Sequence, residues 1–347
     1  MRTNYNVFAP LLVIVLLIFS SCHSPKSKPD PVWSDLPTPT RLDSLNQTEF
    51  LPTLENPLSN GSNSIYAPSL LYAWSKIKQE LKSEVLADRS NSSDFKLLAT
   101  SNSYKNALSD EEYIVSSSVI GDDISVRAFF KKILPFDTKM DVADSPLVFL
   151  GVRVSAFGMN MYDEYIARYA RILYYKDSDN FVLKLMPKDK SQEIILAKGI
   201  APYNTLAEGV EKVEQNIGLG KKEMILENQS WKYQMRKDDI FAIPVIKFNI
   251  ATNYKTLEGQ SFSTKDNGNY TLTEVYQRTG FIFNENGAAI ESDSYAAAVA
   301  ADSIGEEKIV PKHMIFDKPF LIMLKGVSEK NPYFVMRVNN SELMVKR

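Results

Sequence analysis

The chain opens with one apolar run, Val7 to Phe19, that is longer than any later one. A helix needs roughly 20 such residues to cross a bilayer, so this run is short for a span. With Arg2 ahead of it and Ser20-Ser21 behind, it reads as the core of a signal peptide over residues 1–21. Residues 22–63 lose the pattern. His23 to Asn63 holds seven prolines among Ser, Thr, Asn and Lys, the composition of an extended, solvated tether. Periodicity begins at Ser64 and continues to Arg347, which defines the folded domain as 64–347. Leu70, Leu71, Trp74, Ile77, Leu81 and Val85 recur at helical spacing. They predict a helix over Ile65–Leu86 with Pro68 in its first turn.

Short runs rich in Val, Ile, Phe and Tyr predict strands over Ile124–Leu134, Leu147–Met159, Tyr165–Tyr175 and Asn180–Met186. Leu206–Ile217 has the spacing of a second, short amphipathic helix. Ile240–Ile250 reads as a strand, and Pro244 inside it calls for an edge or a bulge. Near the end, an apolar strand closes in the polar turn Asn284-Glu285-Asn286-Gly287. An alanine-rich stretch with little bulk then runs from Ala288 to His313, followed by strands over Ile315–Leu324 and Pro332–Asn340. A connection that long inside a compact domain is generally functional or disordered. There is no repeat and no heptad, and the pattern gives an α+β protein with large mixed sheets.

Composition narrows the chemistry. Hydrophobic residues are 44% and charged residues 24% of 347, enough for a sizeable core without disulfides. A net charge of −2 gives no electrostatic reason to bind nucleic acid. The two histidines, His23 and His313, leave little material for a catalytic imidazole or a zinc site, so neither an enzyme nor a metal or other cofactor is expected. A hydrolase would have to depend on His313. The acid pairs Asp122-Asp123 and Asp238-Asp239 read as solvated turn acids, since neighbours on a strand face opposite ways. Lys221-Lys222 after Gly218-Leu219-Gly220 lacks the spacing of a phosphate loop.

Cys22, the lone cysteine, follows directly on the apolar core and Ser20-Ser21. That arrangement resembles a bacterial lipoprotein signal, with Phe19 where Leu is usual. The resemblance implies an acylated Cys22 anchored in a lipid bilayer, at the periplasmic or outer-membrane surface of the cell envelope. The other reading is a plain secretory signal in which Cys22 is incidental.

The last third resembles the serpin family in order, spacing and residue type. The matching pieces are Asn284-Glu285-Asn286-Gly287, the alanine-bearing stretch, Phe316-Asp317-Lys318-Pro319-Phe320 and Tyr333-Phe334-Val335-Met336-Arg337-Val338. Upstream, Ile243-Pro244-Val245-Ile246-Lys247-Phe248, Phe129-Phe130-Lys131-Lys132 and Asn63-Ser64-Ile65-Tyr66-Ala67-Pro68-Ser69 are also similar to family segments. The chain is shorter than a full serpin between Pro68 and Phe129, where covering helices would lie. Gln277 stands where a His is common, and Ala67 and Leu70 stand where serines are common.

The resemblance implies a serpin-like fold with helices around large mixed sheets, some of its helices missing, and a long exposed reactive-centre loop. It also implies a monomeric inhibitor of serine or cysteine proteases, elastase-like or trypsin-like, that works as suicide bait through residues 287–313. In that scheme Glu285, Gly287, Ala288, Ala289 and Ile290 form the loop's hinge. The scissile bond is Ala301-Asp302 counting forward from Gly287, or Lys308-Ile309 counting back from Phe316. A non-inhibitory binding or structural lipoprotein is the alternative. An inserting strand must alternate. From Gly287 one face carries Ala288, Ile290, Ser292, Ser294, Ala296 and Ala298, all tolerant of burial except in size at Ile290. The other carries Ala289, Glu291, Asp293, Tyr295, Ala297 and Val299.

Overall fold

The computed structural model describes residues 36–108, 113–130, 134–158, 168–288 and 311–347. The side chains of Ile114 and Phe130 are also outside the description. Two large sheets face each other across one core. The main sheet contains β1 (Thr40–Arg41), β4 (Tyr113–Ile120), β5 (Asp123–Phe130), β6 (Leu134–Pro135), β15 (Ile246–Asn253), β16 (Ser261–Ser263), β17 (Asn269–Asn284) and β18 (Gly287–Ala288). The long β17 is its spine: β15 lies antiparallel on one side and β5 parallel on the other. β4 closes a hairpin on β5.

The second sheet has seven strands: β2 (Thr48–Phe50), β3 (Asn63–Tyr66), β11 (Ala170–Asp177), β12 (Asn180–Leu185), β13 (Gln192–Lys198), β20 (Phe320–Gly326) and β21 (Phe334–Val338). A four-stranded sheet joins β7 (Asp141–Val142), β10 (Ala156–Gly158), β14 (Ile240–Pro244) and β19 (His313–Ile315). The hairpin β8 (Leu147–Phe149) and β9 (Val152–Val154) stands apart. The α-helices among the described residues are α1 (Ser69–Leu81), α2 (Ser93–Thr100) and α3 (Leu206–Glu223).

Alternation explains how β17 serves the core. Leu272, Val275, Gln277, Thr279, Phe281 and Phe283 are buried, while Glu274, Tyr276, Arg278 and Gly280 between them are not fully covered. Phe281 stacks on Phe334 of β21 at 4.5 Å between ring centroids, which ties the two large sheets together. Phe283 meets Phe157 of β10 edge-on at 5.2 Å, which ties in the four-stranded sheet. Further along the same buried face the main sheet is covered by α1, which buries Leu70, Leu71, Trp74 and Ile77. Lys82 ends α1 in the left-handed region, φ 51°.

Several boundaries differ from the sequence expectation. The helix expected over Ile65–Leu86 begins at Ser69, because Ile65 and Tyr66 belong to β3, paired with Met336 and Val335. The helix expected to stop at Ile217 runs on to Glu223. Pro244 neither bulges nor edges one strand. It ends β14, and after Val245 the chain joins a different sheet as β15. The stretch from Thr40 to Asn63, placed in the tether by its composition, is packed on the domain. Thr40 pairs with Ile250, Phe50 pairs with Ile65, and Leu51, Thr53, Leu54 and Asn56 are buried. The Glu342 carboxylate also accepts the Asn46 and Gln47 amides at 2.8 and 3.0 Å. The signal segment and the chain to residue 35 lie outside the described residues.

Trp74 is the largest fully buried side chain of α1 and touches Phe95 and Phe262 edge-on at 5.6 and 5.5 Å. Replacing it by Ala removes the wedge that joins α1, α2 and β16. The expected cost is about 3–5 kcal/mol, read as a lower urea midpoint with the slope unchanged.

Candidate functional site

The site is the seam between β5 and β17 together with the two ends of the chain segment that leaves it. Along the seam Gln277 pairs with Ala128, Arg278 with Phe129 and Thr279 with Phe130, all in parallel. At the head of β17 the chain turns through Glu285 and Asn286 and comes back as β18. Gly287 then pairs with Asn284 on one side and Pro135 on the other, and Ala288 pairs with Phe283 and Leu134. The first two residues after the turn are thus already a strand, flanked on both sides. β18 runs antiparallel to β17, so it is also opposed to the direction of β5.

The turn is fixed by its backbone. Asn286 O accepts the Phe136 amide and Glu285 O the Met140 amide, both at 2.9 Å. Asn286 donates its own amide to Asn284 Oδ1 at 3.0 Å. Gly287 has φ +141°, and a Cβ there would lie 2.4 Å from Leu134 O and 2.7 Å from Pro135 Cα. Glycine is therefore required at this position, both for conformation and for space. Of the expected hinge residues, Glu285, Gly287 and Ala288 come together here. Glu285 approaches Lys139 at 3.9 Å. Ala289 and Ile290 lie outside the described residues, as do Ala301, Asp302, Lys308, Ile309 and Cys22.

The inner face of the seam holds a buried polar knot that the sequence reading missed. Gln277 accepts from Tyr254 Oη at 2.6 Å and donates to Ala67 O at 3.2 Å and Ser69 Oγ at 3.1 Å. All of its partners are buried, and burial pushes the Tyr254 hydroxyl far above the ordinary tyrosine range. Gln277 thereby ties β17 to the first turn of α1. The serine it bonds to, Ser69, lies between the flagged positions Ala67 and Leu70. No hydrophobicity pattern distinguishes such a residue; its one signal in the sequence is that it stands where a His is common in the resembled family.

The segment returns at Lys312, where a second buried feature anchors it. Lys312 and Asp239 are both almost completely excluded from solvent, with relative exposures of 1% and 0%. Lys312 Nζ lies 2.8 Å from Asp239 Oδ2 but off a hydrogen-bond axis, and 5.8 Å above the Trp231 ring. The Lys312 amide donates to Asp239 Oδ1 at 2.7 Å, and the Arg236 amide to Oδ2 at 2.9 Å. Desolvation lowers the Lys312 ammonium from its usual range, and Asp239 opposes that shift. Asp239 is not the solvated turn acid its sequence neighbourhood suggests. Ile240 at the start of β14 pairs with His313, and that pairing brings Asp239 and Lys312 together across 73 residues. His313 itself is exposed at the start of β19.

Among the described residues no cluster of three or more His, Cys, Asp or Glu could hold a metal ion, and no helix is long and apolar enough to cross a membrane. The geometry offers a strand-wide seam, a strand already started at its head, and a firm anchor where the segment comes back.

Removing one partner of the buried pair leaves the other charge stranded. Asp239→Ala should therefore cost about 3–5 kcal/mol of stability. Lys312→Met, which keeps the stem packed, should cost less. Chemical denaturation of the two variants gives the order directly.

No family model matches the chain, and a search of curated proteins finds no match. The solved structures it is similar to are serpins. Serpin48 of the insect Tenebrio molitor is 16% identical with a TM-score of 0.32, over 63% of this chain and 56% of that one. Thyroxine-binding globulin in complex with thyroxine is 14% identical with a TM-score of 0.37, over 62% and 56%. Uncleaved ovalbumin is 12% identical with a TM-score of 0.36, over 63% and 54%. The matched region spans a little over half the length of these structures. At such scores the likeness describes shape alone. In the chain itself the order of elements is β5 beside β17, a turn into β18, then β19, β20 and β21.

Proposed function

We propose that the protein is a serpin-like protease inhibitor anchored to the bacterial cell envelope. A protease cleaves the 287–313 loop, and the part attached to Ala288 enters the β5–β17 seam as a new strand. The observation that carries this reading is the position of β18, already laddered to β17 at the head of that seam. The pairs Phe283–Ala288 and Asn284–Gly287 fix a register. A strand that kept this register on entry would set Ile290 opposite Phe281, Ser292 opposite Thr279, Ser294 opposite Gln277 and Ala296 opposite Val275. Those β17 residues are the buried ones. The small face identified by counting from Gly287 therefore falls inward. Its two serines arrive beside the two polar residues of the buried face, where each hydroxyl finds a partner. Asp293 falls on the outer face beside Arg278, and Glu291 beside Gly280.

The energetics favour entry. The parallel β5–β17 ladder is given up and two antiparallel ladders replace it, a net gain of one ladder with the better geometry. The chemistry of trapping belongs to the attacking protease. An acyl-enzyme carried along with the strand survives if one oxyanion-hole donor is pulled out of place, since one such donor is worth about 10²–10³ in rate.

A non-inhibitory binding or structural module is the second reading. The connection favouring it runs from Leu81 to Tyr113, where the one α-helix among the described residues is the eight-residue α2. So short a cover bears on whether a moving sheet stays folded. The two readings part on one experiment. In the first, elastase-like and trypsin-like proteases give a complex stable to SDS, and nicking raises the melting temperature by about 10 °C or more. In the second, the loop is cut, no complex forms and the melting temperature does not rise.

Anchoring rests on Cys22 and on the apolar run before it. Metabolic labelling with a fatty-acid probe should mark the wild-type chain and not Cys22→Ser. Release of unlabelled wild-type protein in soluble form would show a plain secretory signal instead.

A further inference from the structure

We infer that Arg127 and Glu274 form a lock across the β5–β17 seam, and that opening this lock limits how fast a strand can enter the seam to its full depth. The inference rests on the insertion reading above and adds what holds the seam shut. Arg127 of β5 grips the Glu274 carboxylate of β17 with two parallel bonds, Nε to Oε2 at 2.9 Å and Nη2 to Oε1 at 2.8 Å. Ser125 of β5 donates to the same Oε2 at 3.0 Å. The Arg127 guanidinium also lies 5.9 Å from the centre of the Tyr276 ring. One further bond crosses beside them, Thr273 Oγ1 to Ile124 O at 3.1 Å. Among the described residues these four side-chain hydrogen bonds bridge β5 and β17, and three of them end on Glu274.

Such a fork is the strongest geometry a carboxylate and a guanidinium can adopt. It also holds Glu274 below the usual carboxylate range, with the Arg127 hydrogen bonds as the first cause. The lock is outer-face chemistry. Gln277 on the inner face bonds to α1 and Tyr254 and places nothing across to β5. Adjacent strands sit about 4.8 Å apart, and a strand placed between them about doubles that separation. Bonds of about 3 Å do not survive the change, so complete entry requires each of them to break.

Position along the seam gives the lock its specific effect. β18 starts the new strand opposite Phe283, nine residues along β17 from Glu274. At about 3.4 Å per residue that is about 30 Å. A strand can zip past Phe281, Thr279 and Gln277 before it meets the lock. The β5–β17 register also shifts between Leu272 and Glu274, so the lock sits at the irregular end of the ladder. Shallow entry leaves it closed, and full entry does not.

The test follows the rise in thermal stability with time after a single nick in the loop. It compares the full-length wild type with Arg127→Ala, Glu274→Ala, the double variant and the charge swap Arg127→Glu/Glu274→Arg. Loss of the lock should speed the slow part of the rise roughly three- to tenfold. The double variant should be no faster than either single one, and the swap should restore much of the delay. The swap also guards against a folding defect, because it keeps the ion pair while changing both residues. A wild type that gains stability at the same rate as all four variants would overturn the lock and leave insertion standing. A wild type that gains no stability on nicking would overturn insertion, and the lock with it.

Discussion

The structure turns on a strand pair that points the same way. β17 is antiparallel to β15 but parallel to β5, and the chain folds back at the very end of β17. A strand that leaves β17 by a two-residue turn must run against it, and so against β5 as well. The seam between parallel neighbours is therefore the one junction beside β17 that the returning chain can enter with antiparallel pairing on both sides. Gly287 makes the return possible, since any Cβ at that point would collide with the backbone of β6.

The ends of the intervening segment are held by different physics. The root is held by backbone hydrogen bonds and one steric requirement, which are features a growing strand keeps. The far end is held by a buried charge pair in a water-poor site, Asp239 and Lys312, which has no lower-energy alternative once broken. Lys198 reinforces that side: its ammonium bonds to Asp317 Oδ1 at 2.6 Å and Ile315 O at 2.8 Å. In the proposed cleavage, the piece joined to Ala288 keeps a root that can grow as a strand, while the piece joined to Lys312 keeps a buried ionic anchor.

Period-two and period-3.6 patterns were enough to read much of this from the sequence. Leu70, Leu71, Trp74 and Ile77 located α1, and alternation along β17 separated its buried from its outward residues. The boundaries failed where apolar residues of one element adjoin another, as Ile65-Tyr66 do at α1. They failed too where a break passes between sheets, as at Pro244 and Val245. The polar core was the least legible part. Asp239 looks like half of a surface pair because Asp238 precedes it, and its partner is far along the chain. Gln277 was visible only as a departure from a family pattern. Arg127 and Glu274 each look like ordinary exposed residues of a strand until the register places them side by side. Hydrophobic periodicity reports faces, and pairing between charges depends on register, which a single sequence leaves open.

The distribution of these bonds also determines which part of the sheet is free to move. β17 is pinned directionally: Gln277 bonds to Ala67 and Ser69 at the start of α1, and Arg278 Nε to Asn249 of β15 at 2.9 Å. The β4–β5 hairpin meets α1 largely through buried apolar side chains such as Ile124, Val126 and Ala128, with one side-chain hydrogen bond, Ser117 Oγ to Glu80 Oε1 at 3.3 Å, at its exposed edge. Apolar contact has no preferred direction, so a packed surface of this kind permits sliding where a hydrogen-bonded one does not. In the proposed insertion, β15 and β17 stay with the first turn of α1 while β4 and β5 shear away over its apolar face. The outer-face bonds to Glu274 then become the main directional restraint on that motion. For this reason a lock made of one exposed ion pair, modest in its contribution to overall stability, is placed where it controls a rate.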